Sequence, residues 1–213
     1  MWRLIFSPLK LVPCKTPLPM SLRKALEDLG PVFVKMGQIL STRKDLFDLE
    51  TLNELEKLQD KVAPFDTGLA IEIIERELGA SLAETFAYFN KTPIAAASVA
   101  QIYEAELICG DGRSKDVVIK VIRPNIEKTI KKDTELMKWL AKILRRLIPD
   151  SKRLHLEKVI EDYERTLLDE LDLRIESDNT KSLRLNWENS GKLYVPQVYE
   201  DLSSERLMIM ERV

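Results

Sequence analysis

Residues 116–122 read Asp-Val-Val-Ile-Lys-Val-Ile, and the placement of Lys120 in that run decides how the chain is read. The run is β-branched and apolar, which favours a strand in a buried sheet position. Alternate side chains of a strand share a face, so Lys120 points with Val118 and Ile122, while Val117, Ile119 and Val121 point into the opposite layer. A lysine in such a strand is costly unless it is paired or reaches a ligand. Two readings stand for the residue alone: an edge-strand lysine that reaches solvent, or a cation held ready for an anion.

Working back from Lys120, residues 109–113 (CGDGR) form a turn, and Ala100–Leu107 (AQIYEAEL) alternates as a second strand. That strand is entered through Ile94, Ala95, Ala96, Ala97, Ser98, Val99, Ala100, Gln101 and Ile102. Phosphate loops need small side chains so that backbone N–H groups can approach the anion. Alanine permits the approach but disfavours positive φ, so an alanine loop is stiffer than a glycine loop. The same run also suits a plain packing turn. Phe86–Phe89 (FAYF) is a further short β-prone stretch.

The first 85 residues read as helices. Ser21 opens one over 21–29, stopped by Gly30-Pro31; others cover 32–43 and 50–60. Asp66 caps a helix through Leu78 that Gly79 closes, and Ser81 with Glu84 has the capping-box spacing. Lys35 and Gln38 share a helical face, and Gly37, which costs a helix about 1 kcal/mol against Ala, points to a close backbone contact. After Lys120, Pro124 opens a helix over 125–147 and Pro149 stops it. A second long helix covers 156–187. It sets Asp172 and Glu176 on one face, with Glu170 roughly 120° around from Glu176. Residues 194–200 (YVPQVYE) and 205–213 (ERLMIMERV) read as two more strands. The fold class is α+β: a helical block over 1–85, then a small antiparallel sheet with long helices over 86–213.

Composition narrows the function. Lys plus Arg (33) nearly balances Asp plus Glu (35), which argues against a general nucleic-acid binder. Cys14 and Cys109 are far apart and the one histidine, His155, has no companion, so neither a disulfide framework nor a metal site is expected. His155 reads as a surface or helix-start residue. The apolar start (Trp2, Leu4, Ile5, Phe6) is too short to span a bilayer and lacks a cleavage site; it either rests on a membrane surface or packs as a terminus.

Four stretches in order, KMGQ at 35–38, IAAASVAQI at 94–102, VVIK at 117–120 and ELD at 170–172, resemble the UbiB family of atypical kinase-like proteins tied to ubiquinone (coenzyme Q) biosynthesis. They resemble its KxGQ motif, its alanine-rich loop, the kinase β3 lysine and its ExD motif; Glu176 stands where the αC-type glutamate would. The resemblance implies a kinase-like small lobe with the KxGQ block ahead of it and a large lobe absent from this chain. It implies that Lys120 bridges the phosphates of ATP or ADP and pairs with Glu176, and that residues 94–102 cover the phosphates with Ser98 near them. Met210 would be the gatekeeper, with Glu211 and Val213 offering backbone groups to adenine. Lys35 would pair with Glu170 or Asp172, and the KxGQ helix would block protein phosphorylation. The catalytic Asp, the Asn and the Mg2+-holding Asp are expected beyond Val213, as are transmembrane segments that would hold the full-length protein at the bacterial inner membrane. The chain is thus expected to be a fragment or an interrupted gene product. It would be inactive alone as a phosphotransferase or ATPase. Nucleotide, lipid or quinone intermediates and other ubiquinone-biosynthesis proteins are the implied partners. The alternative is a non-catalytic nucleotide-binding or scaffold fragment.

Overall fold

The structure, a computed structural model, describes residues 17–58, 63–110, 112–147, 155–188 and 191–213. The apolar start over 1–11 lies outside them. The chain forms two compact units, divided at 61/62, 127/128 and 165/166. The elements in chain order are α1 (Leu18–Leu29), α2 (Pro31–Ser41), α3 (Leu49–Leu55), α4 (Thr67–Leu78), α5 (Leu82–Thr85), β1 (Phe86–Phe89), β2 (Ala95–Ala96), β3 (Ala100–Ile108), β4 (Ser114–Ile122), α6 (Ile126–Leu147), α7 (Leu156–Asp169), α8 (Leu173–Trp187) and β5 (Leu207–Glu211).

In the first unit α1, α2 and α3 pack around Val34, Leu55 and Leu58, with Leu22, Leu26, Leu40 and Phe47 against them. Helix α1 starts one turn before the expected Ser21. Pro19 lies in its first turn, where a missing N–H costs nothing, and Ser21 N–H instead donates to Pro17 O at 3.0 Å. Gly30 separates α1 from α2 at φ 108°, a conformation that favours glycine. Helix α3 ends at Leu55, earlier than the expected residue 60, after starting at the Asp48 cap, whose side chain accepts from Thr51 N–H. Later in the chain, the buried Tyr163 hydroxyl donates to Val32 O at 2.6 Å, and Lys138 pairs with Glu164. His155 sits just before α7, as a helix-start residue.

The second unit is built on an antiparallel sheet in the order β1-β3-β4-β5, with β2 paired to β3. One face of it is dry. Tyr103, Ala105, Val117, Ile119, Val121, Leu207 and Ile209 alternate inward along β3, β4 and β5 and pack with Ala70, Ile73 and Ile74 of α4. This packing is why α4 and α5 belong with the sheet rather than with the helices before them. Asp66 accepts from Leu69 N–H at 3.0 Å to start α4, and Gly79, at φ 67°, ends it.

Two expectations are corrected, and of the two readings left open for Lys120 the edge-strand one is excluded. Strand β4 lies between β3 and β5, so Lys120 is on an interior strand, not an edge. Residues 194–200 form no strand: Val198 makes an isolated bridge to Met210, Pro196 has no N–H to add to a ladder, and Glu200–Leu202 turn as a 3-10 helix. The single helix over 156–187 is two helices. Asp172 is extended, its carboxylate accepts from Arg174 N–H at 3.1 Å, and α8 starts there afresh. An aspartate that bonds its own downstream backbone offers the chain a cap in place of a continuing turn. Asp172 and Glu176 therefore do not sit as neighbours on one continuous helix.

Candidate nucleotide site

The register of the sheet puts Ala95, Ile102, Lys120 and Met208 in one cross-strand row. Glu104, Val118 and Met210 form the next row. Paired residues of an antiparallel sheet point to the same side, so both rows share the face opposite the dry layer. Lys120 thus emerges from the middle of the sheet, beside the alanine-rich hairpin.

Its partner comes from α8. Lys120 Nζ donates to Glu176 Oε2 at 2.6 Å, with side chains 22% and 44% exposed. Glu176 is in the first turn of α8, and that turn is held by main-chain atoms. Leu173 N–H donates to Glu205 O at 2.9 Å, while Ile122 N–H on β4 donates to Arg206 O at 3.0 Å. The dipeptide 205–206 therefore grips both the helix that carries the glutamate and the strand that carries the lysine.

Ala95 and Ala96 form the short strand β2, and 97–99 turn back into β3, with Ala97 N–H donating to Ala100 O at 2.8 Å. None of 94–102 adopts positive φ, as expected of alanine in place of glycine. Ile94 is half exposed and its N–H donates to Ile102 O at 2.9 Å. Ser98 is buried. Gln101 is fully buried and points with Tyr103 into the dry layer, away from Lys120. Its side-chain oxygen accepts from Phe65 N–H at 2.9 Å, and its amide nitrogen donates to the Tyr103 hydroxyl. Gln101 thus acts on the loop from behind and presents no side chain to Lys120's face.

Arg123 was not legible as a site residue, yet it is bonded to the loop through both its side chain and its backbone. Its Nε donates to Ala97 O and its Nη2 to Ala63 O, both at 2.9 Å, and its N–H donates to Val99 O at 2.9 Å. The guanidinium lies 5.4 Å from the Phe65 ring centroid.

At the end of β5, Glu211 N–H is already used, donating to Gln197 O at 2.8 Å. The bond from Tyr194, then that from the Gln197 backbone, hold the Glu211 carboxyl below its ordinary range. Val213 is 85% exposed. Of the remaining residues singled out from sequence, Lys35, Gly37 and Gln38 are in the first unit and Glu170 and Asp172 in the second. Gly37 is buried among Leu26, Leu55 and Leu58, and Gln38 Nε2 donates to Leu58 O at 3.3 Å, so this part of the motif joins α2 to the end of the α3 segment. Glu170 lies in the turn after α7, and Arg174 holds the Asp172 carboxyl below its ordinary range. Among the described residues, no group of three or more His, Cys, Asp or Glu is disposed to hold a metal ion, and no helix is long and apolar enough to cross a membrane.

An interior-strand lysine paired to a helix glutamate beneath a small-residue hairpin is the small-lobe arrangement of kinase-like proteins. In agreement, residues 57–213 match the ABC1 atypical kinase-like domain, and the chain belongs to that family. Among curated proteins it is similar to the probable protein kinase UbiB of Pseudomonas aeruginosa, 49% identical over 192 residues that cover 90% of this chain and 35% of the relative. The corresponding protein of Shewanella frigidimarina is 50% identical over 192 residues, covering 90% and 34%. That of Aliivibrio fischeri is 49% identical over 197 residues, covering 92% and 36%. The chain thus spans about a third of the length of these relatives. A Mycobacterium tuberculosis protein solved as the Rv3197–erythromycin complex shares the fold, with TM-score 0.56 and 24% identity over 89% of this chain and 46% of that one.

Proposed function

We propose that the Lys120 face of the second unit binds the phosphates of ATP or ADP, as part of a UbiB-type atypical kinase or ATPase that supports ubiquinone biosynthesis. The observation that carries this reading is the Lys120–Glu176 pair at 2.6 Å on an interior strand. A lysine there has no packing role that an apolar residue would not fill better, whereas pairing keeps its ammonium oriented for an anion. In this reading Ile94–Ile102 lie over the phosphates, and Glu211 and Val213 offer main-chain groups to the adenine. Glu211 has its carbonyl for that purpose, its N–H being taken by Gln197. Mg2+ would accompany the nucleotide, held by groups of the longer family protein.

The test is titration of the 213-residue chain with a fluorescent ADP analogue, alongside Lys120→Ala. Saturable binding that ATP displaces and Lys120→Ala abolishes is expected; equal binding by both proteins would remove Lys120 from the site. Nucleotide should also raise the unfolding midpoint of the wild type alone. The KxGQ block is part of the same proposal: Lys35→Ala is expected to raise amide exchange over residues 30–45, and unchanged exchange there counts against a role for Lys35 in that block.

A further inference from the structure

The alanine-rich turn has no glycine and no positive φ, so something other than backbone freedom must aim its peptide groups. Arg123 meets that need. Its side chain accepts no proton and gives none up, so its charge is permanent, and its planar fork reaches two carbonyls 60 and 26 residues away in sequence, those of Ala63 and Ala97. Its own N–H takes a third, that of Val99. In a trans peptide the C=O and N–H of one unit point in opposite directions, and the described residues contain no cis bond. Fixing the Ala97 and Val99 carbonyls toward Arg123 therefore turns the N–H groups of Ser98 and Ala100 to the other side. Gln101 completes the hold, its buried amide tying the start of β3 to Phe65, whose ring lies against the Arg123 guanidinium.

We infer that Arg123 is a positioning residue that sets the direction of the alanine-turn amides, the role that conformationally free glycines play in a glycine-rich loop, and so tunes affinity for the polyphosphate part of a nucleotide. The inference rests on the nucleotide reading of the Lys120 face. Arg123 is bonded to the backbone carbonyls of Ala63, Ala97 and Val99, so it acts on the ligand through the loop. Loss of the fork therefore weakens ligands that carry phosphates and leaves the adenosine portion unaffected. A general loss of fold would weaken both alike.

The experiment compares wild type, Arg123→Gln and Arg123→Lys in the 213-residue chain. Each is titrated with ATP, ADP and adenosine, and amide exchange of residues 94–100 is followed without ligand. Arg123→Gln is expected to weaken ATP about tenfold, to leave adenosine within about twofold, and to speed exchange at 94–100 with the β4–β5 ladder unchanged. Arg123→Lys keeps the charge but not the fork, and is expected to behave like Arg123→Gln. ATP binding that is unchanged in Arg123→Gln, or fully retained by Arg123→Lys, overturns the positioning role while leaving the nucleotide reading intact. An equal loss of ATP and adenosine also overturns it, in favour of a merely structural arginine. Absence of ATP binding by the wild type overturns both readings.

Discussion

Lys120 and Glu176, 56 residues apart in sequence, meet at 2.6 Å, the lysine from an interior strand and the glutamate from the first turn of α8. Neither residue is deeply buried, so the contact is worth little to stability and its value lies in where it holds the ammonium.

That separation of roles gives a first prediction. Glu176→Gln is expected to lower unfolding free energy by less than about 1 kcal/mol, yet to weaken ATP binding clearly. The charge-swapped double variant Lys120→Glu with Glu176→Lys should recover the stability of the pair but not the affinity, because the cation has then left the strand. Urea unfolding and ATP titration of the wild type and both variants check this. ATP affinity equal to wild type in the swapped protein would show that the position of the lysine is unimportant.

Gly37 yields a second prediction. A Cβ at this position would overlap Leu58 Cδ1 and come within 2.8 Å of Leu26 Cδ1. Alanine adds about 1 kcal/mol of helix propensity, while overpacking a closed interface costs about 1–3 kcal/mol. Because the clash is with leucine ends that can turn, Gly37→Ala is expected to be mildly destabilising and Gly37→Val strongly so. Trimming Leu58 to alanine should make Gly37→Ala stabilising in that background. Chemical denaturation of the wild type and the four variants decides it, and a Gly37→Val variant as stable as wild type would contradict the packing described.

The cap of α8 supplies a third, in pH. The Asp172 carboxyl titrates below its ordinary 3.8, chiefly through the Arg174 side chain. A depressed folded value means that the group contributes stability above 3.8 and loses that contribution as pH falls through the folded value. Asp172→Asn keeps a capping side chain and removes only the charge. Wild type should exceed this variant by no more than about 1 kcal/mol near neutrality, and the gap should close in acid. A gap that does not narrow on acidification, in urea unfolding at several pH values, would mean that the charge is not what stabilises the cap.

Much of the second unit could be read from local pattern. The alternation around Lys120, the cap at Asp66 and the stop at Gly79 are written in neighbouring residues, and the structure forms them. What escaped depends on distant partners or on one side chain's choice. Residues 156–187 keep helical composition without glycine or proline, so the break at Asp172 rests on a carboxylate choosing Arg174 N–H over solvent. Lys120 could pass for an edge lysine because its second neighbour strand, β5, comes from the far end of the chain. Arg123 follows strand β4 and precedes a proline, where a surface arginine is ordinary, and only the return of the chain at Ala63 and Ala97 reveals its work. The KxGQ residues were legible as a group, but the tight fit of Gly37 against Leu58 needed the α2–α3 packing to be seen.

The grip of residues 205–206 on both α8 and β4 has an evolutionary consequence. The gap between Lys120 and Glu176 is gauged by two main-chain bonds, from Leu173 and from Ile122, and not by the side chains of Glu205 and Arg206. The Glu205 carboxylate meets Arg174 only at 3.8 Å and in solvent, a contact worth little, so those two side chains are open to drift among relatives, whereas an insertion or deletion between 203 and 207 would shift helix and strand against each other. Selection at that loop should therefore act on its length and leave its composition largely free.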